Sequence, residues 1–85
     1  MAISVPDWLA KRGGALQSGA YGDTWFVMLQ GAPQYKLLPI PVGGKHGCAI
    51  TQTINGKRLE STAIADTAEG AIQGGLEDLR KALGW

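Results

Sequence analysis

His46 and Cys48 stand two positions apart and are the side chains in this sequence best equipped to make or break bonds. A thiol becomes a nucleophile when a base takes its proton and a third group orients that base. On an extended strand, residues two apart share a face, which puts the imidazole on the thiol's side without fixing a contact. As metal ligands the pair falls short: zinc usually takes four donors, and the sequence holds one cysteine and one histidine. His46 therefore reads as an exposed turn residue and Cys48 as a small buried hydrophobe. No catalytic, cofactor or metal site is expected; the third-ranked alternative, a small-molecule binder or enzyme, would need a pocket that brings His46 and Cys48 near a distant acid.

The other reactive residue types support the same reading. Asp7, Asp23, Glu60, Asp66, Glu69, Glu77 and Asp78 are scattered, with no spacing that sets two carboxylates across a cleft. Ser4 and Ser61 have neither a histidine nearby nor the context of a nucleophile elbow. The glycine-rich stretch 13–23 lacks the lysine–hydroxyl pattern and the following helix of a phosphate-cradling loop, so it reads as a connector. Lys45, Lys57 and Arg58 fall at two hairpin tips, where they are candidate nucleic-acid contacts. A formal net charge of +1 provides no general attraction for polyanions or anionic lipid.

These residues need elements to position them, and the clearest is the segment 66–85. Asp66 followed by Glu69 is a capping-box pattern. Ala68, Ile72, Leu76, Leu79 and Leu83 recur at helical spacing as one apolar stripe. Glu69, Gln73, Glu77, Asp78, Arg80 and Lys81 lie mostly on the other side, with Glu77 and Lys81 four apart in the favourable order. Gly84 can adopt a left-handed stop. Gly70, Gly74 and Gly75 weaken the helix by about 1 kcal/mol each relative to alanine. That cost points to a close approach, either to the domain's own sheet or to a second helix.

Upstream, Ser4–Arg12 reads as a short helix with Ser4 as cap, Pro6 in its first turn and Gly13-Gly14 as its end. Ala15–Gln17 is a candidate edge strand, with residues 18–23 turning into the next. Residues 24–30 form the most apolar run, aromatic and β-branched, and predict a strand with apolar groups on both faces. Residues 31–34 predict a turn and 35–42 a second strand. There Leu38, Ile40 and Val42 line one face, and Tyr35, Leu37, Pro39 and Pro41 the other. Both prolines lack donors on the same side, as suits an edge strand. Residues 43–47 predict a turn and 48–54 a third strand. Asn55-Gly56 predicts a two-residue type I′ hairpin, setting Ile50 opposite Ser61 and Gln52 opposite Leu59.

The expected fold is thus one α+β domain over residues 1–85: a short N-terminal helix, an antiparallel meander of three to four strands, and a C-terminal amphipathic helix on one sheet face. At this size, stability should be on the order of 3–8 kcal/mol. A single cysteine closes no internal disulfide and fits a reducing compartment. The first residues lack a secretory pattern, and no run approaches the ~20 apolar residues of a membrane span. A cytoplasmic protein is the expectation.

Two resemblances bear on function. The helix–strand–strand–strand–helix order is similar to that of double-stranded-RNA-binding domains, whose second helix begins with phosphate-binding lysines. Here that turn holds Asp66, Thr67 and Glu69, which oppose phosphate. The stretch Ala65-Asp66-Thr67-Ala68-Glu69-Gly70-Ala71 with Leu76-Glu77-Asp78-Leu79 resembles the strand-to-helix junction of HicB-like antitoxins, without the acidic-proline-glycine turn typical of them. The second resemblance implies a shared way of joining strand to helix. The alternative function is a nucleic-acid-associated regulator, antitoxin-like or double-stranded-RNA-binding-like, using Lys45, Lys57 and Arg58 at the hairpin tips. The leading expectation is instead a non-enzymatic interaction module, binding another protein or a second copy of itself. Its contact would be Trp25 or Phe26, whichever lies on the sheet face away from the helix.

Overall fold

A computed structural model describes residues 3–19 and 24–85. Its elements are α1 (Asp7–Ala10), β1 (Ala15–Ser18), β2 (Trp25–Leu29), β3 (Ala32–Val42), β4 (Lys45–Gln52), β5 (Arg58–Leu59), β6 (Ile64–Ala65) and α2 (Ala68–Leu83). The strands form one antiparallel sheet in the order β1-β2-β3-β4-β5, with β6 pairing β4 beside β5. The helix α2 lies on one face of this sheet, against β4, β3 and β6. The α+β class, the flanking helices and the antiparallel sheet are as expected, and the sheet is larger by the short strands. The turn expected over 18–23 lies largely outside the described residues.

The first helix is a single turn and depends on docking for its stability. Pro6, expected in the first turn, is its N-cap, and no side chain caps it. Its end is as expected: Gly13 turns left-handed (φ 71°), and the Gly14 N–H reaches back to the Leu9 carbonyl at 2.9 Å. Leu9 is fully buried, while Trp8 packs at the margin of the core.

Two hairpins close with two-residue turns. Leu29 faces Ala32 across Gln30-Gly31, and Val42 faces Lys45 across Gly43-Gly44. All four turn residues have positive φ, as a type I′ turn requires. Gln30, at φ 55°, is the one non-glycine residue in that region among those described. A side chain with a Cβ is strained there, and asparagine tolerates it better than glutamine. Gln30→Asn is therefore expected to raise stability by about 0.5–1 kcal/mol in urea unfolding. Strand β3 accordingly starts at Ala32, where a turn was expected. Beyond Val27–Tyr35 the register shifts, bringing Met28 opposite Pro33.

Asn55-Gly56 does not form the expected type I′ turn. Only Gly56 has positive φ, and the register sets Ile50 opposite Leu59 and Thr51 opposite Arg58, two residues from expectation. The cause is tertiary. The Thr53 N–H donates to the Gln34 carbonyl at 3.0 Å and its hydroxyl to the Pro33 carbonyl at 2.6 Å. Thr53 is thereby held against β3, and the loop widens to residues 53–56, closed by the Gln52 N–H on the Lys57 carbonyl at 2.8 Å. A slip of two residues preserves which side chains share a face. Leu59 therefore still points to the covered side.

The split between β5 and β6 follows from register. Extending the Ile50–Leu59 pairing would set Ser61 opposite Cys48; running the Gly47–Ile64 pairing back would set Ala63 there. The chain has two residues too many and leaves β4 over 60–63. Asp78 fastens the excursion. Its Oδ2 accepts from the Ser61 hydroxyl at 2.8 Å and from the Thr62 N–H at 3.0 Å. Asp78, expected on a solvated helix face, thus joins α2 to the sheet's irregular edge.

The N-cap of α2 is Thr67, not Asp66. The Thr67 hydroxyl accepts from the Gly70 N–H at 3.0 Å, and the third helical position is Gly70, so no capping box forms. Gly84 is the left-handed stop (φ 74°); the Trp85 N–H reaches the Arg80 carbonyl and the Gly84 N–H the Lys81 carbonyl, a Schellman closure. Ala71, Ile72, Gly75, Leu76 and Leu79 form the buried stripe. The helix glycines face the domain's own sheet. A Cβ on Gly74 would come 2.8 Å from that of Ala63, and one on Gly75 would come 2.4 Å from the Cys48 sulfur. Glu77 bonds Arg80 rather than Lys81: the Arg80 Nε donates to Glu77 Oε1 at 2.9 Å, and this hydrogen bond holds the Glu77 carboxyl below its ordinary pKa.

Candidate interaction face

Alternation along the strands divides the sheet's residues between two faces. Val27, Leu37, Cys48 and Ile50 point toward α2 and form the core with Leu9, Ile72, Leu76 and Leu79. Trp25 lies on this side, half-buried against the core. Phe26 lies on the other side, which neither described helix covers. Pairing makes a row across that open face: Gln17 beside Phe26, Phe26 beside Lys36, Lys36 beside Thr51, and Thr51 beside Arg58.

Next to this row runs an apolar stripe. Leu38, Ile40 and Val42 alternate along β3, and Ile64 joins them through Gly47, which pairs with both Ile40 and Ile64. Leu38, Ile40 and Val42 are 36–39% exposed and Ile64 is 52% exposed, so part of this surface meets no other described part of the chain. Gly47 is needed for the stripe to close up: a Cβ there would come 2.8 Å from Val42 Cγ2. Strand β3 was expected at a sheet edge, and the structure makes only its second half an edge. Trp25, the first residue of β2, pairs with Leu37, so Pro39 and Pro41 lie past the start of β2. They face Cys48 and His46 on β4. Having no N–H to give β4, they sit where their missing donors point to the side β2 leaves open.

The cations do not gather. Lys45 opens β4, and its ammonium meets Asp66 Oδ1 at 3.0 Å in an exposed ion pair. Arg58 pairs with Thr51, six residues farther along the strand, roughly 20 Å away. Lys57 is exposed in the loop before Arg58. Lys36, which the sequence did not single out, is the cation that stands beside Phe26.

His46 and Cys48 share the face toward α2, as their spacing implied. Cys48 is 5% exposed, enclosed by Gly75 and Leu37. Burial, reinforced by the negative charge of Asp78, pushes its thiol up to about 11. A thiol in this state is protonated at neutral pH and inert as a nucleophile. The unfolded thiol ionises near 9.0, so its contribution to stability is intact below pH 9 and is lost as pH rises toward 11. The loss should reach on the order of 2 kcal/mol. Urea unfolding from pH 8 to 11 should show this slope in the native protein and lack it in Cys48→Ala. Among the described residues, no three His, Cys, Asp or Glu side chains lie together as a metal-binding group, and no helix is long and apolar enough to cross a membrane.

A concavity that the sequence did not reveal lies where α1 meets the end of α2. Trp8 and Trp85 stand 6.0 Å apart, centroid to centroid, with their rings tilted by 59°. The Arg12 guanidinium sits 4.4 Å from the centre of the Trp85 ring. One signal could have found this pair: the residue after a Schellman glycine commonly packs back on its helix, and here that residue is Trp85.

No protein-family model, curated protein or solved structure matches this chain.

Proposed function

We propose that this domain is a non-enzymatic protein-interaction module that docks an acidic, amphipathic segment of another protein on the open face of its sheet. The observation that carries the reading is the adjacency of the apolar stripe Leu38-Ile40-Val42-Ile64 to Phe26, Lys36 and Arg58. An apolar surface removed from water supplies affinity at about 25 cal/mol per Å² before the costs of association. The flanking cations favour carboxylates at one end of the partner and fix its direction. The opposite face already holds an amphipathic helix in this way. A cytoplasmic setting, where the unpaired thiol stays reduced, fits this role.

Selection from a displayed library of amphipathic helices tests the proposal. Binders rich in acidic residues are expected, with affinity lost in Phe26→Asp and weakened at least several-fold in Lys36→Glu. Lys36 is half-buried on the open face and outside the core, so its variant should keep the fold. Recovery of basic binders, or of binders indifferent to both changes, would refute the reading. Light scattering over a concentration series at low and moderate salt decides the homodimer alternative: a monomer is expected, and a stable dimer would assign the face to a second copy. A nucleic-acid role through Lys45, Lys57 and Arg58 would instead show binding that falls steeply with salt.

A further inference from the structure

The cleft between α1 and the end of α2 has a volume of about 750 Å³, with walls that include Trp8, Lys11, Arg12, Glu77, Arg80 and Trp85. Its cations are in different states. Arg80 is committed to Glu77 through a hydrogen bond that also raises its own pKa. Arg12 is held only through the face of Trp85, an attraction between a cation and a ring quadrupole that uses none of its N–H donors on an oxygen. Among the described residues Arg12 has no hydrogen bond from its side chain and no ion pair, and neither has Lys11 beside it. Asp7, which also lines the cleft, offsets one of these two charges.

Arg12 is therefore a guanidinium positioned over a ring, with its N–H fork committed to no oxygen of the described residues. A guanidinium fork matches two oxygens of a carboxylate, and the tilted indoles beside it offer apolar walls to a flat group. We infer that this cleft binds a small planar aromatic carboxylate, its oxygens on Arg12 and its ring against Trp8 and Trp85. The inference is independent of the sheet-face proposal, since the two surfaces share no residue.

The test uses the full chain, labelled with ¹⁵N and titrated with benzoate at constant ionic strength. Acetate, which has the carboxylate without the ring, and benzamide, which has the ring without the charge, are the comparison ligands. Saturable shifts are expected in the indole N–H signals of Trp8 and Trp85 with benzoate, at least five-fold weaker with either comparison ligand. The Trp25 indole, which belongs to the sheet, should stay still. Arg12→Gln should weaken benzoate at least ten-fold with its backbone spectrum otherwise preserved. If that variant unfolds, the comparison of the three ligands on the native chain still decides. Equal shifts with all three ligands, equal movement of all three indoles, or no saturation would overturn the inference. Phe26→Asp should bind benzoate as the native protein does.

Discussion

Gly75→Ala should destabilise this domain by about 2 kcal/mol or more, although alanine is the better helix former by about 1 kcal/mol. The added Cβ would lie 2.4 Å from the Cys48 sulfur, 2.9 Å from the Cys48 Cβ and 3.2 Å from Leu37 Cδ2. The first contact could be relieved by turning a side chain. The second cannot, because the Cys48 Cβ is fixed by the backbone of β4, which β3 pairs along its whole length. The helix must therefore lift from the sheet, loosening Ile72, Leu76 and Leu79 together. In chemical denaturation the midpoint should fall clearly below that of the native chain. Cys48→Ala in the same background should recover only part of the loss, since the Cβ contact survives, with a coupling of about 1 kcal/mol between the two changes. Gly70→Ala is the control: its new Cβ would meet Ala65 and Thr67 at 3.0 and 3.2 Å, and its effect should be small. A Gly75→Ala protein as stable as the native one would mean that α2 does not approach β4 this closely.

Leu9→Ala should cost about 2–3 kcal/mol, at the lower end of the range for buried leucines because a one-turn helix can partly collapse into the space. Leu9 is fully buried and is the residue by which α1 joins the core. Its side chain lies so close to Gly14 that a Cβ there would come 2.3 Å from Leu9 Cδ1. For a domain of this size the melting temperature should drop on the order of 10–20 °C. The loss should also reach the cleft. With α1 undocked, Trp8 leaves Trp85, so the Trp8 and Trp85 indole signals should move toward each other and toward unfolded values below the main transition. A variant that melts early yet keeps those signals apart would show that α1 is held by Trp8 rather than by Leu9.

What could be read from the sequence was local, and what could not was long-range. The apolar stripe of α2 and its Gly84 stop are visible because helical spacing and a left-handed glycine act within a few residues of each other. The same holds for the two faces of β3, where Leu38, Ile40 and Val42 alternate with Tyr35, Leu37 and the prolines. Asn55-Gly56 misled because Thr53 is tied to Gln34 and Pro33, some twenty positions away in the chain. The real type I′ turn at Gln30-Gly31 was hidden because glutamine is an unusual residue for a left-handed conformation. Asp78 looked solvated, since nothing near it in sequence reveals an irregular edge that needs two acceptor contacts. For the candidate surfaces, the choice between Trp25 and Phe26 needed only the side on which the helix lies. Lys36 and the Arg12–Trp85 stack needed the register and the meeting of distant segments.

The contact between Trp8 and Trp85 joins the two ends of the described chain, and this orders events in time. Segments this far apart meet only after a large loop has closed. On the ribosome, α1 is made before α2, and Trp8 has no partner ring until α2 has been made and docked. The hairpins of the meander close locally and need not wait for this. Refolding followed by the tryptophan signal of this pair should therefore lag behind the backbone signal of the sheet. The cleft beside Arg12 would then be the last surface to appear, offered to a ligand only by a chain whose folding is finished.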